Sequence, residues 1–122
     1  MQLSNNFIYQ TTIDLMELFS NNEQYIPIKL NFAIQKNIQT FKSLFETIDA
    51  ARLKIGQQYG EMSESGFSII DPEKQTLANQ ELMDLGEIIQ EVPVQTVKIE
   101  SITDDIRLTP QQMQTIMFMI EG

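Results

Sequence analysis

The sequence predicts an α+β fold that is mainly α-helical, with a long central helix packed with two or three shorter helices and a small β element. Three observations lead to this class. Apolar residues recur at helical spacing from residue 28 to residue 58, two later helices have capping residues followed by proline, and a short β-branched segment lies between them. We expect a single domain over residues 1–122, because this length suffices for one buried core and no linker divides the chain.

The first helix is predicted over residues 5–20. Ile8, Leu15 and Phe19 recur at near-helical spacing behind Ser4, and a run of serine and asparagine closes the pattern.

The second helix, predicted over residues 28–58, carries the longest apolar stripe. It opens after Pro27, and Gly56 and Gly60 supply its stop signal. The stripe consists of Leu30, Ile34, Ile38, Phe41, Phe45, Ile48 and Ile55. We expect it to contact the third and last helices at Leu82 and Ile116. If Phe45 lies in the core, its replacement by alanine would cost ~3–5 kcal/mol.

The second half of the chain alternates short strands with helices. A short strand is predicted at residues 67–70, followed by a third helix that begins at Asp71 and Pro72. The face of this helix is predicted to be Ala78, Leu82, Leu85 and Ile89. From Val92 to Ile99 the pattern is β-like but changes phase, which indicates a bulge or bend, and Pro93 restricts this end to a sheet edge.

Thr109 and Pro110 begin a last helix. Its apolar stripe is Met113, Ile116, Met117 and Ile120. Phe118 and Met119 make the run from 116 to 120 continuously apolar, and five consecutive residues cannot share one helix face. Burial against the long helix is one interpretation, and contact with another subunit or partner is the other.

Charge is distributed unevenly along the chain. Residues 1–60 hold five basic and five acidic residues, so the whole net charge of -9 lies in residues 61–122. Such a field repels nucleic acid and membranes and attracts basic surfaces. We therefore expect no direct nucleic-acid partner, no membrane partner, and a protein partner with a basic surface or self-association.

The absence of cysteine and histidine excludes whole classes of chemistry. Without them the chain cannot build a Ser-His-Asp or Cys-His constellation or a zinc site of the usual ligands. The first residues do not resemble a signal peptide, and no apolar run approaches the ~20 residues that cross a bilayer. We expect a non-enzymatic protein without a cofactor, although carboxylate or magnesium chemistry stays possible.

Acidic clusters are the first candidate sites. Asp71 begins a pattern similar to a calcium loop, but Thr76 stands where such a loop needs glycine, so a helix cap is preferred. Glu100, Asp104 and Asp105 could hold magnesium, and a solvated turn is the more frequent outcome. We assign Glu100, Asp104, Asp105, Phe118 and Met119 as candidate partner-binding residues.

Basic residues of the long helix are the second group of candidates. Lys29, Lys36 and Arg52, with Arg107 nearer the C-terminus, could bind a small anionic ligand between two copies of the chain. A solvated helix face is the simpler interpretation.

Several short segments of the chain carry a resemblance when they are taken together. They are Tyr25–Lys29, Ile34–Asn37, Ala51–Leu53, Tyr59–Glu61, Asp71–Glu73, Asn79, Glu81 and Leu108–Pro110. In these segments the chain resembles a family of short uncharacterised proteins of tailed phages and prophages from Gram-positive bacteria. The resemblance covers residues 25–121 and is loose before them. It implies a phage origin and a place in the host cytoplasm, and it supplies no catalytic or binding residues.

Three functions are compatible with these observations. The first is a phage accessory protein that binds a host protein stoichiometrically, as a host-takeover or anti-defence inhibitor. The second is a virion or tail-assembly component that forms homo-oligomers. The third is a sponge that traps a small nucleotide.

Overall fold

A computed structural model of the chain describes residues 1–19, 26–63, 66–102 and 108–122. Within these ranges the fold is mainly helical, as predicted. The α-helices are α1 (Asn5–Phe19), α2 (Ile28–Tyr59), α3 (Pro72–Glu87) and α4 (Pro110–Ile116). The long helix α2 is central, since α1 and α3 both pack along it and α4 packs on α1. No helix in the described residues is long and apolar enough to span a membrane.

The hydrophobic core lies where α1, α2 and the C-terminal segment meet. Ile34, Phe41 and Ile48 from the predicted stripe of α2 are buried in it, and Ile8 and Leu15 from α1 complete the contact. Phe45 and Ile55 are only partly covered. Phe45 instead stacks on Tyr9, with ring centroids 4.5 Å apart.

The strands are short and form three separate pairs in the described chain. β1 (Gln2–Ser4) pairs antiparallel with β4 (Ile89–Glu91), β2 (Glu61–Ser63) with β3 (Gly66–Ser68), and β5 (Val97–Lys98) runs parallel to β6 (Ile120–Glu121). The registers are Gln2↔Glu91, Met62↔Phe67 and Val97↔Ile120. The first and last pairs close both chain ends onto the helices.

The expected single strand over residues 67–70 is wrong in extent. Gly66–Ser68 pairs antiparallel with an additional strand, Glu61–Ser63, and residues 64–65 lie outside the described residues. The strand ends early, while Ile69 is half-buried against Gly60.

The phase change predicted between Val92 and Ile99 has a different cause from a bulge. The segment belongs to two strand pairs, because β4 ends at Glu91 and β5 begins at Val97. Val92 is fully buried between them, and Ile99 lies in a 3₁₀ turn, Ile99–Ser101. β4 pairs with the N-terminal strand and β5 with the C-terminal strand. The local sequence pattern does not indicate pairing between residues so far apart in the chain.

Both later helices end before the apolar pattern does. α3 stops at Glu87, so Ile89 belongs to β4 and is exposed rather than on the helix face. Gly86 is buried beside the start of α1, where an added Cβ would clash with the Asn6 side chain. α4 stops at Ile116 and continues as a 3₁₀ turn, Met117–Met119, because Ile120 joins β6.

The two predicted helix caps are present. The Asp71 carboxylate accepts a hydrogen bond from the Glu73 backbone N–H at 2.9 Å, which supports the cap interpretation of this aspartate. Thr109 and Gln112 form a reciprocal capping box at the start of α4. Gln112 also donates to the Leu18 carbonyl at 2.8 Å and so fixes α4 on α1.

Candidate interaction surfaces

The outer face of α3 is an acidic surface that includes one exposed leucine, Leu77. Ala78 and Gly86 are the buried residues of this helix, and the opposite side carries a stripe at alternating spacings of four and three. We call it the α3 face, and it consists of Glu73, Leu77, Gln80, Asp84 and Glu87. These spacings place all five on one side of a helix.

Leu77 on the α3 face is 54% exposed, and two more large apolar side chains are exposed further along the same helix and just after it. Met83 on the flank of the helix is 57% exposed, and Ile88 just beyond its end is 51% exposed. A helix with apolar and acidic residues on its solvent side can contact a protein surface that has apolar and basic residues.

A second surface lies at the start of α2. Ile28 is 79% exposed and Phe32 is 61% exposed, although neighbouring Leu30 and Ile34 are fully buried. Ile28, Lys29 and Phe32 form one wall of a groove of about 540 Å³. The other wall is the backbone segment 95–98, and we call this groove the α2 groove.

Lysines flank the α2 groove. Lys29 and Lys98 line it, and Lys36 is exposed two turns along α2 on the same side as Lys29. The carboxylate of Glu121 lies on the neighbouring strand, where it accepts a hydrogen bond from Thr96 at 2.9 Å. Lys29 and Lys98 outnumber this carboxylate, so the formal charge at the groove is positive in a chain of net charge -9.

Asn37 fixes the far wall of the groove. Its amide donates to the Gln95 carbonyl at 2.9 Å and accepts from the Gln95 N–H at 2.7 Å, while Asn37 itself is fully buried. Beyond this clamp, Val97 is buried and pairs with Ile120. The segment opposite Phe32 is thus held by hydrogen bonds at two points.

Arg52 lies at a third location, on the part of α2 that faces α1 and α3. Its guanidinium stacks 4.5 Å from the centroid of the Tyr9 ring. The Tyr9 hydroxyl donates to Asp49 at 3.4 Å, which is near the limit for such a bond. Cavities of about 240 and 290 Å³ lie on either side of Arg52 and share Leu82 in their linings.

The predicted anion-binding residues do not converge within one chain. Lys29 and Lys36 share a side of α2, but Arg52 is 23 residues beyond Lys29, which corresponds to about 35 Å along a helix. Arg107 lies outside the described residues. An anion bound by Lys29 and Arg52 together would need a second copy.

The predicted partner-binding residues are separated in the same way. Glu100 is exposed in the 3₁₀ turn after β5, and Asp104 and Asp105 lie outside the described residues. The assignment of Met119 to a partner surface is wrong, because Met119 is fully buried and accepts a weak contact from Asn37.

Phe118 is also committed to the fold. It is half-buried, with its ring 5.6 Å from Phe41 and 5.5 Å from Phe7. The exposed residue of the apolar run is Met117, at 59%. Ile116 and Met119 are three residues apart and therefore lie on the same side, so both are buried while Met117 faces solvent.

The sequence contained one signal for the α2 groove. Phe32 falls outside the apolar stripe of α2 and between Lys29 and Lys36 at helical spacing, so an exposed aromatic among cations could have been inferred. The groove's other wall depends on the long-range Asn37 clamp and had no such signal.

Within the part of the chain that the structure describes, no three histidine, cysteine or acidic side chains are grouped as a metal site would require. Comparison of the chain with family models, curated proteins and solved structures found no match.

Proposed function

We propose that this chain is a phage accessory protein that acts in the host cytoplasm by stoichiometric, non-enzymatic binding of a host protein with a basic surface. The observation that carries this proposal is the α3 face, where Asp84 and Glu87 lie on the same solvent-exposed side as Leu77. The phage and host parts of the proposal come from the resemblance of residues 25–121.

The α3 face combines two contributions to binding. Burial of exposed Leu77 and Met83 would supply affinity, at about 25 cal/mol for each Å² of apolar surface removed from water. The carboxylates would steer a basic partner and select against acidic ones. Since the helix is anchored through Ala78 and Leu85, its outer side can be covered without rearranging the core.

A second candidate is a virion or tail-assembly component that forms homo-oligomers. The α2 groove favours it, because Ile28 and Phe32 expose apolar surface at the opposite end of the long helix from α3. The nucleotide sponge has weaker support, since its described cations are spread along α2.

The proposal is tested by affinity capture from a Gram-positive host lysate with the wild-type chain and with the double variant Asp84→Lys/Glu87→Lys. We expect the wild type to retain a protein that high salt releases and that the double variant does not retain. A matched control is Glu17→Lys/Glu46→Lys, which reverses two exposed acidic residues away from α3. Equal capture by all three chains would contradict the proposal.

A further inference from the structure

We propose that the α2 groove binds the α3 face of a second copy of this chain, so that the protein associates head to tail. This goes beyond the proposed function, because it assigns the groove an occupant. A foreign basic partner and a second copy would then compete for the α3 face.

The charges of the two surfaces are complementary. The groove presents Lys29 and Lys98, with Lys36 further along the helix, whereas the α3 face presents Glu73, Asp84 and Glu87. Lys74 beside Glu73 and Glu121, the strand partner of Lys98, partly offset this difference, but the lysines still outnumber the carboxylate at the groove and the carboxylates still outnumber the lysine on the α3 face. Opposite potentials steer association and fix its register.

The apolar parts are complementary as well. Phe32 and Ile28 are the exposed apolar residues of the groove, and Leu77 and Met83 are those of α3. Each pair would otherwise leave large side chains in water next to charges. An aromatic anchor surrounded by charged residues is a common arrangement at the centre of protein interfaces.

Geometry makes the contact intermolecular. The groove involves residues 28–32 of α2, whereas α3 packs beside Leu53 and Gly56 near the other end of the same helix. About 21 residues of helix separate Phe32 from Leu53, or roughly 32 Å at 1.5 Å per residue. One copy therefore cannot fill its own groove, and a contact between unlike surfaces continues to rings or open chains.

The test is sedimentation velocity of the purified full chain over a range of concentrations, at low and high salt. We expect the wild type to associate at low salt and to dissociate at high salt. Lys29→Glu/Lys98→Glu and Asp84→Lys/Glu87→Lys should each raise the apparent dissociation constant at least tenfold. An equimolar mixture of the two variants should associate again, because each variant now offers the surface that the other one lacks.

Bulk charge does not explain such a recovery. Each double reversal changes the net charge by four, so the variants carry -13 and -5 and repel each other overall. Lys42→Glu/Lys54→Glu is the matched control, since it also gives -13 through two exposed lysines of α2 outside the groove. Phe32→Ala tests the apolar anchor without changing charge, and circular dichroism checks the fold of every variant.

A wild type that stays monomeric at low salt would overturn the inference. So would equal weakening by the groove variant and its matched control, or a mixture that fails to associate. The measurement uses the purified chain alone. An absence of self-association would therefore not bear on whether the α3 face captures a foreign partner.

Discussion

Replacing Asn37 by alanine should destabilise the fold and release the wall of the α2 groove. The Asn37 amide satisfies both backbone groups of Gln95, at 2.9 and 2.7 Å. Leaving a buried backbone group without its partner costs about 1–3 kcal/mol, so two such groups could cost up to about 6 kcal/mol. Because Gln95 is exposed, water can partly replace both hydrogen bonds, and we expect the variant to lose about 2–3 kcal/mol of stability.

Urea unfolding followed by circular dichroism measures this loss. Asn31→Ala is the matched control, because Asn31 is half-buried earlier on the same helix, and we expect it to change the free energy of unfolding by about 0.5 kcal/mol or less. A loss of stability for Asn37→Ala as small as that of the control would refute the stabilising role of the two Asn37–Gln95 hydrogen bonds.

Asn37→Asp separates hydrogen bonding from packing, because the two side chains have nearly the same shape. The new carboxylate can still accept from the Gln95 N–H but cannot donate to its carbonyl. Burial raises the pKa of such a carboxyl above the unfolded value of about 3.9. The variant should therefore approach wild-type stability below that pH and lose stability as pH rises through the higher folded pKa. A pH-independent deficit would contradict this.

Three further predictions follow from the packing. Phe41→Ala should destabilise the fold by about 3–5 kcal/mol, because Phe41 is fully buried. Phe45→Ala should cost only about 1–2.5 kcal/mol, because Phe45 is half-buried and stacked on Tyr9. Equal losses of stability in thermal unfolding would be inconsistent with this difference in burial. Gly60→Ala should cost about 1–3 kcal/mol, since its Cβ would lie 2.8 Å from the Gly56 carbonyl oxygen, while Gly122→Ala, with open space around it, should be neutral in the same assay. Desolvation raises the pKa of Tyr59 above 10.0, and a hydrogen bond to Glu81 and the negative charge of Glu81 add to this effect. Glu81→Gln should therefore lower the pKa of Tyr59, as followed by ultraviolet titration. An unchanged tyrosine titration would contradict the role of Glu81. Because that pKa is raised in the folded chain, the contribution of Tyr59 to stability is present below about pH 10 and is lost as pH rises through the folded pKa.

Local chemistry in the sequence predicted the helices but not the strand partners. The stripe through Ile34, Phe41 and Ile48 and the caps at Asp71 and Thr109 depend on neighbours within a few residues, and the structure contains them as expected. The pairings of β1 with β4 and of β5 with β6 join residues about 90 and 23 positions apart.

The candidate surfaces divide in the same way. The cations Lys29 and Lys36 were visible in the sequence, and so was the acidic character of the second half. The exposure of Leu77 was not singled out, although the predicted face through Ala78, Leu82 and Leu85 already leaves it off the packed side of the helix. Met119 was misassigned, although its spacing of three from Ile116 already places it on the buried side.

The proposed function is tested most sharply by a dissociation constant, measured at low and high salt, between this chain and a recombinant form of any host protein recovered in the affinity capture. We predict one-to-one binding that weakens with salt and is at least tenfold weaker for Asp84→Lys/Glu87→Lys than for Glu17→Lys/Glu46→Lys. The same dissociation constant for both variants would mean that the α3 face is not the binding surface.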